Sequence, residues 1–179
     1  MPTPYEGPVG PTVRSRFVAV YPFARVDGSD RMLMLRRAVG AFAGHWYMVT
    51  GTIEPGERAW EAALRELREE TGLVARELWS ADFTDAFYNP ADECIEMVAT
   101  FVAKVGEDPL VTLNGEAPPV TLNGEADAHE WCFLPEVLAR MPFAGHKRAL
   151  AEVWPRFLDG TPPPWLRIPL PEGCPLPEG

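Results

Sequence analysis

Cysteine is scarce in this sequence, and long apolar runs are absent. The three cysteines, Cys94, Cys132 and Cys174, are widely spaced, odd in number and without a C-x-x-C pair. No disulfide framework is therefore predicted, and a reducing compartment is favoured. No segment approaches the roughly 18 consecutive apolar residues of a membrane-spanning helix. The first residues have neither a basic start nor an apolar run, so no signal peptide is predicted and a cytoplasmic location is favoured.

Positive charge is also in short supply. The sequence has 16 lysines and arginines against 26 aspartates and glutamates, which gives a net charge of −10. Duplex DNA and anionic membranes both require a dense cationic surface, so neither is predicted to be a partner. A small nucleotide substrate stays compatible with this charge, because a bound divalent metal reverses the charge of a local site.

Histidine is rare, and a phosphate-binding P-loop is missing. His45, His129 and His146 have no metal-ligand spacing, so each is predicted to be a surface or capping residue. The glycine-rich stretch 40–44 lacks the G-K-[ST] ending that a P-loop needs. By contrast, hydrophobic residues make up 46% of the 179 residues. That fraction supports a real core, and the length fits one domain.

Proline marks both ends of the chain. Eleven of the 20 prolines lie in residues 1–11 and 162–179. The sequence therefore predicts a domain over residues 12–159 between proline-rich tails at 1–11 and 160–179, both without regular structure. The C-terminal tail still contains Trp165 and other apolar residues, so packing over the domain, packing over a second subunit in a homodimer, and a free tail all stay open.

Strand-like and helix-like segments alternate between the tails. Residues rich in β-branched and aromatic types predict strands, with Cys94 and Cys132 packed inside two of them. Amphipathic segments predict the helices, and Gly72 is the predicted stop of the first one. The predicted strands are 14–24, 31–37, 46–53, 77–88, 94–105 and a buried strand at 129–134, and the predicted helices are 57–70, 135–141 and 144–154. This order favours an α/β fold with a mixed sheet covered by helices.

The first predicted helix carries an unusual group of carboxylates. Glu66, Glu69 and Glu70 are three and four residues apart, a spacing at which like charges repel by a few tenths of a kcal/mol. A helical projection places them along one edge of a buried stripe formed by Trp60, Ala63, Leu64 and Leu67. Arg65 is predicted to pair with Glu61 or Glu69. A solvated surface explains this pattern, and so does a bound cation.

The residues around this helix separate the two explanations. From Gly51 to Leu73 the sequence resembles the Nudix box, in which glycine, five residues, glutamate, seven residues and R-E-[aliphatic]-x-E-E-x-G-[aliphatic] follow one another. The matching positions are Gly51, Glu57, Arg65, Glu66, Leu67, Glu69, Glu70, Gly72 and Leu73. The chain is therefore identified as resembling the Nudix hydrolase superfamily, which implies an α/β/α sandwich with a mixed central sheet.

The resemblance also implies roles for these residues. Glu66, Glu69 and Glu70 would bind metal, with the backbone carbonyl of Thr50 as a further ligand. Arg65 would orient Glu57, which itself supports or binds metal, and the implied catalytic residues are Glu69, Arg65, Glu57 and Glu125. Mg²⁺, with Mn²⁺ as a substitute, suits such a set because it prefers hard oxygen ligands. The bound metal would neutralise phosphate charge and activate a water molecule.

A narrower resemblance, over most of residues 17–158, concerns the substrate. The segments RMLMLRR, HWYMVTGTIEPGE and HKRALAEVW look like those of dihydroneopterin triphosphate and dATP pyrophosphatases. This implies cleavage of a nucleoside triphosphate or pterin triphosphate to a monophosphate and pyrophosphate. Trp46 is then either a core aromatic or a contact for the base or pterin. Arg36 and Arg37 are either phosphate contacts or a solvated strand end.

The sequence is also compatible with other substrates and with a non-enzymatic role. FYNP at 87–90 loosely matches a feature of dinucleoside polyphosphate and ADP-ribose hydrolases. A Nudix fold that only binds a ligand or a protein is the alternative from another class. Such proteins tend to lack box glutamates, whereas this sequence keeps all of them.

A seven-residue repeat offers one more carboxylate. VTLNGEA occurs at 111–117 and again at 120–126, which places Glu116 and Glu125 in the same local sequence. The relatives named above carry a glutamate six residues before a tryptophan, and Glu125 stands six residues before Trp131. They usually have histidine after that glutamate, where this sequence has Ala126, which weakens the substrate assignment. From the spacing of Glu125 to Trp131, we expect Glu125 rather than Glu116 to reach the metal and phosphate site.

Overall fold

The computed structural model describes residues 10–40, 42–106 and 117–171. Within these ranges every predicted strand and helix is present, with some shifts in bounds. In chain order the elements are β1 (Thr12–Val26), β2 (Ser29–Arg37), β3 (Trp46–Tyr47), β4 (Val49–Thr52), α1 (Ala59–Thr71), β5 (Ala75–Asn89), β6 (Cys94–Val105), β7 (Ala126–Cys132), α2 (Leu134–Arg140), α3 (Ala144–Trp154), a π-helical turn (Pro155–Asp159), a 3-10 turn (Pro164–Leu166) and β8 (Arg167–Ile168).

The strands form one mixed sheet, as the sequence predicts. Its hydrogen-bonded order is β3-β2-β1-β6-β5-β8, with β4 paired to β1 and β7 paired to β2. The long central strands β1 and β6 run parallel, and the other recorded pairs are antiparallel. β1 therefore joins the two halves of the sheet, and β4 pairs with residues 17–20 in the middle of β1.

Helices cover both faces of this sheet. Gly51 of β4 pairs with Val18 of β1, and the backbone at Gly51 lies against Glu66 of α1. Side chains alternate along a strand, so Tyr21 points to the opposite face, where its hydroxyl lies 2.7 Å from Nδ1 of His146 in α3. Helix α1 thus packs on one face and α3 on the other. The predicted α/β/α sandwich is confirmed.

The core runs continuously along the central strands. Residues 18–21 of β1 and 32–35 of β2 are fully buried, without the alternation of a half-exposed strand. Coverage on both faces explains this continuity. Burial of each such large apolar side chain stabilises the fold by about 1.5–3 kcal/mol. The strands that position the site are therefore rigidly held.

The buried face of helix α1 is wider than predicted. Its buried residues include Ala63, Leu67 and Glu70, whereas Trp60 and Leu64 are half-buried. The predicted stripe is confirmed in that Ala63 and Leu67 are buried and Trp60 and Leu64 pack against the core. The buried face also extends to Glu70 on the glutamate edge, because polar partners from β3 and β4 meet its side chain there. The helix stops at Gly72 as predicted, with φ of 70° and its N–H donating to the carbonyl of Arg68 at 2.7 Å.

The C-terminal segment adds to the sheet. Ile168 of β8 pairs with Leu78 of β5, and Leu166 is buried, while Trp165 remains 79% exposed. The expectation that this tail lacks regular structure is wrong for residues 164–168, because β5 offers an edge with which the tail backbone pairs. In the described ranges, no helix is both long and apolar enough to cross a membrane.

Two further expectations need correction. The strand expected to be buried at 129–134 is β7, in which only Ala126 and Cys132 are buried, because β7 pairs only with β2 and lies at an edge. Cys94 is buried in a strand, as predicted. His45 and His129 are exposed as predicted, but His146 is buried.

Candidate active site

One arginine in the middle of helix α1 forms hydrogen bonds with three carboxylates of the box. Arg65 donates to both oxygens of Glu57, at 2.9 and 3.0 Å. Its Nη1 donates to Glu66 at 2.9 Å and to Glu69 at 3.0 Å. Its Nη2 also donates to the carbonyl of Thr52 at 2.9 Å. The guanidinium keeps the pKa of Glu57 below its usual value, so Glu57 is an ionised carboxylate fixed in orientation.

A glycine makes room for the second carboxylate. A Cβ placed on Gly51 would lie 1.9 Å from the carboxyl carbon of Glu66, so a side chain at this position would displace the Glu66 carboxylate. The N–H of Thr52 donates to Glu66 at 3.2 Å. Burial raises the pKa of Glu66, and the neighbouring Arg65 opposes that shift. Glu66 is thus pressed against the strand backbone at the first residue of the box.

Glu70 is the most deeply placed carboxylate of the helix, with 2% of its surface exposed. It accepts hydrogen bonds from the hydroxyl of Tyr47 at 3.1 Å and from the N–H of Thr50 at 3.3 Å. Burial raises the pKa of Glu70 to about 8, and the charges of Glu125 and Glu66 add to the rise. A buried carboxylate of this kind is stabilised either by binding a proton or by a cation beside it.

A second arginine links Glu125 to this region. Nη1 of Arg37 lies 3.9 Å from Glu125, and its guanidinium lies 4.6 Å from the ring centre of Tyr47. The N–H of Ala38 donates to the carbonyl of Glu125 at 2.8 Å, which fixes the backbone there. Glu125 is close enough for its charge to raise the pKa of both Tyr47 and Glu70.

Two other residues predicted to contact substrate lie elsewhere. Nε of Arg36 donates to Asp127 at 2.7 Å on the surface. Trp46 is half-buried, with the guanidinium of Arg140 of α2 4.9 Å from the centre of its ring. Neighbouring residues in a strand face opposite ways, so Arg36 and Trp46 are separated from Arg37 and Tyr47 by the sheet. Glu116 lies outside the described residues.

The assembled site is rich in oxygen ligands and negative charge. Two guanidinium groups, those of Arg65 and Arg37, stand beside a larger number of carboxylates. The described carboxylates are Glu57, Glu66, Glu69, Glu70 and Glu125. Hard oxygen donors on one rigid helix, with one buried carboxylate among them, suit a divalent cation such as Mg²⁺. Side-chain oxygens of Glu69 also remain reachable by solvent, since 55% of that side chain is exposed.

Some residues of this region are not apparent from the sequence. Tyr47 belongs to a segment singled out for Trp46, yet Tyr47 is the residue that contacts Glu70. On the other face of the sheet, His146 lies between the hydroxyl of Tyr21 and the carboxylate of Asp85, at 2.7 and 3.4 Å. No spacing rule pairs residues so far apart in the sequence.

The sequence of this chain is similar to those of known proteins. The family model described as NUDIX domain matches residues 15–153. An octanoyltransferase of Myxococcus xanthus is 34% identical over 137 residues, which are 75% of this chain and 35% of that protein. The nucleoside triphosphatase NudI of Escherichia coli is 38% identical over 68 residues, or 37% of this chain and 48% of NudI. The chain thus spans half or less of the length of these curated relatives.

Solved structures resemble this chain over a larger share of their own length. A Caenorhabditis elegans Ap4A hydrolase in a binary complex has a TM-score of 0.62 at 23% identity, with 80% of this chain and 96% of that chain covered. The Escherichia coli dihydroneopterin triphosphate pyrophosphohydrolase has a TM-score of 0.55 at 20% identity, with 75% and 92% covered. At such identities the likeness concerns the fold alone.

Proposed function

This chain belongs to the NUDIX domain family, and we propose that it is a hydrolase of phosphoanhydride bonds that requires a divalent metal. Its proposed substrate is a nucleoside triphosphate or a pterin triphosphate, and its products are a monophosphate and pyrophosphate. The single observation that carries this proposal is the group of carboxylates held around Arg65, with Glu66 seated against Gly51.

The residues present fit a divalent cation. Glu66, Glu69 and Glu70 would hold it, with the backbone carbonyl of Thr50 and the carboxylate of Glu125 as further oxygen donors. The fit rests on the geometry of Glu70, a carboxylate with 2% of its surface exposed whose hydrogen-bond donors in the described site, Tyr47 and Thr50, are neutral groups. When bound, Mg²⁺, or Mn²⁺ in its place, would offset phosphate charge and make a water molecule a better nucleophile.

The chain's own residues supply position and proton transfer. Arg65 holds Glu57 and Glu66 at fixed orientations, which keeps the oxygen donors converged. We propose that water attacks the first phosphorus, that the bond from this phosphorus to the bridging oxygen breaks, and that pyrophosphate leaves with the electron pair. The proton released by water goes to Glu69, the box carboxylate with the greatest exposure. Arg37, the arginine on the Glu70 side of the sheet, is the proposed phosphate contact.

The substrate class rests on two lines of support. NudI, named a nucleoside triphosphatase, is 38% identical over the matched segment. The segments outside the box resemble pyrophosphatases that act on dATP and dihydroneopterin triphosphate. No specific contact in the described site favours dinucleoside polyphosphates or ADP-ribose, so these serve as competing substrates in the test.

A hydrolysis screen with product identification tests the proposal. The purified protein is incubated with Mg²⁺ and each of the deoxynucleoside triphosphates, dihydroneopterin triphosphate, ADP-ribose and diadenosine polyphosphates. We expect a triphosphate to give monophosphate and pyrophosphate. Inorganic phosphate as the sole small product, or activity confined to ADP-ribose, would contradict the proposed cleavage.

A matched pair of variants tests the metal site in the same assay. Glu70→Gln removes one charged ligand and is expected to lower turnover by several orders of magnitude without unfolding the protein. Glu152→Gln, an exposed position on α3, is the control and should leave turnover unchanged. Near-normal turnover of Glu70→Gln, or full activity in excess chelator, would rule out the metal mechanism. Tight nucleotide binding without hydrolysis would instead support a ligand-binding protein.

A further inference from the structure

Two adjoining cavities lie at the end of the sheet opposite the box. The first has a volume of about 320 Å³ and is lined by residues that include Phe23, Arg25, Lys104 and Phe157. The second, of about 560 Å³, is lined in part by Arg167 of the C-terminal strand. Arg76 and Glu77 line both cavities, so the two are parts of one surface cleft. We call this surface the basic cleft.

The basic cleft is separate from the proposed active site. Thr50, next to Gly51 of the box, pairs with Ala19 of β1. Arg25 lies six residues further along the same strand, which at about 3.3 Å per residue is a distance of about 20 Å. A ligand in the cleft therefore leaves the glutamates of the box uncovered.

Three of the cations that line the basic cleft, Arg25, Lys104 and Arg167, form only long ion pairs. Arg25 lies 4.0 Å from Asp30. Lys104 and Arg167 both approach Glu77, at 3.6 and 3.4 Å. Three cations thus share two carboxylates, and none of the three distances is that of a strong charged hydrogen bond. By comparison, Arg36 lies 2.7 Å from Asp127 in a well-formed pair.

Loose pairs of this kind are easily rearranged. Exposed ion pairs contribute about 1 kcal/mol or less, and long cationic side chains reorient at little cost. An incoming anion would therefore draw Arg25, Lys104 and Arg167 toward itself without breaking any strong interaction. The chain as a whole carries a charge of −10, so a convergence of cations is not a consequence of its composition.

The floor of the basic cleft is apolar and firmly packed. Phe23 and Phe157 are both 1% exposed, and each makes an edge contact with a tryptophan, Trp154 and Trp79 respectively. The C-terminal strand β8 carries Arg167 to the rim, where its guanidinium lies 5.7 Å from the ring centre of Trp79. An apolar floor with a few charged groups at the rim is typical of small-molecule sites, and the volumes of the two cavities lie in the range of such sites.

We propose that the basic cleft binds a polyphosphate anion, with its phosphates held by Arg25, Lys104 and Arg167. Free pyrophosphate and the phosphate chain of a nucleotide share this chemistry. The proposal concerns a second binding site and is independent of which substrate the box hydrolyses.

Calorimetric titration in excess chelator tests this site apart from the box. Without metal, the glutamates of the box repel anions, and no turnover occurs. We expect pyrophosphate to bind the full-length protein at low salt. The double variant Arg25→Gln/Lys104→Gln should bind at least tenfold more weakly, whereas Arg148→Gln on α3, which removes an exposed cation elsewhere, should differ less than twofold.

A variant that is expected to bind pyrophosphate more tightly provides a test that misfolding cannot imitate. Glu77→Gln removes the carboxylate that competes for Lys104 and Arg167, so pyrophosphate should bind at least threefold more tightly. A parallel titration with ATP distinguishes the two sources. Equal affinities indicate free polyphosphate, and tighter ATP binding indicates a nucleotide whose nucleoside adds contacts in the cleft. Absence of pyrophosphate and ATP binding to the unaltered protein, or equal affinities in all variants, would overturn the proposal.

Discussion

Arg65 grips both carboxylate oxygens of Glu57, through Nε at 2.9 Å and Nη2 at 3.0 Å. Only a planar guanidinium makes such a two-point contact, and lysine carries the same charge without it. Arg65→Lys should therefore lower turnover by tenfold or more while the melting temperature changes by only a few degrees. Arg148→Lys on α3 serves as the matched control. Unchanged turnover in Arg65→Lys would show that charge alone suffices at this position.

Gly51 offers a sharper test of the box geometry. A methyl group there would lie 1.9 Å from the carboxyl carbon of Glu66, so Gly51→Ala must displace that carboxylate. The obstructed atoms are the far end of a flexible side chain, so the fold should persist. We expect a loss of turnover of about 100-fold and weaker metal binding by calorimetry, since a displaced carboxylate no longer joins the metal ligands. Gly10→Ala, where a Cβ meets nothing within 4 Å, is the control; equal metal affinity in both variants would contradict this view of Gly51.

Much of this site is predictable from spacing. The box places Glu57, Glu66, Glu69 and Glu70 at fixed offsets from Gly51, and helical periodicity then brings the last three to one edge of α1. Such local geometry depends on few residues, so the sequence predicts it well. The stop of α1 at Gly72 is predictable for the same reason, since its left-handed φ favours glycine.

Contacts between distant elements are not predictable in this way. Tyr47 reaches Glu70 only because β3 and α1 are packed in one particular register. His146 is buried because Tyr21, 125 residues away, and Asp85 of β5 both meet it there. The burial of Glu70 likewise depends on polar partners from β3 and β4. Patterns in a single sequence do not show which distant residues become neighbours in the fold. His146 is for this reason wrongly predicted to be a surface or capping residue.

The buried His146 predicts a pH-dependent stability. Burial lowers the pKa of His146 to about 4, and the carboxylate of Asp85 opposes that shift. An unfolded histidine titrates near 6.5. Between these values the unfolded chain binds a proton that the folded chain does not, so stability falls as pH drops from about 6.5 to about 4, by up to about 1.4 kcal/mol per unit.

Urea unfolding measures this effect. His146→Asn cannot titrate, so its stability should depend less on pH between 4 and 6.5 than that of the unaltered protein. Above about pH 6.5 the unaltered protein should be the more stable of the two. Both proteins are measured in chelator, so that titration of the box glutamates cancels in the difference. Identical pH profiles would show that His146 is not protonated on unfolding in this range.

The last prediction concerns the two copies of the repeat. Glu125 lies beside Arg37, which in turn lies over Tyr47, the hydroxyl donor to Glu70. Its backbone is fixed by the hydrogen bond from Ala38. These contacts support a role for Glu125 at the proposed metal and phosphate site. Glu116 lies outside the described residues and is followed closely by two prolines, which do not suit a central strand.

Paired substitutions separate these two glutamates, which share one local sequence. At saturating metal, Glu125→Gln should lower turnover tenfold or more, because a carboxylate near the metal and phosphate is lost. Glu116→Gln should change turnover by less than twofold, and it controls for any effect of the repeat sequence itself. If both residues are merely solvated turn residues, neither variant will lose activity. Equal effects, or a larger loss in Glu116→Gln, would therefore refute the assignment of Glu125 to the site.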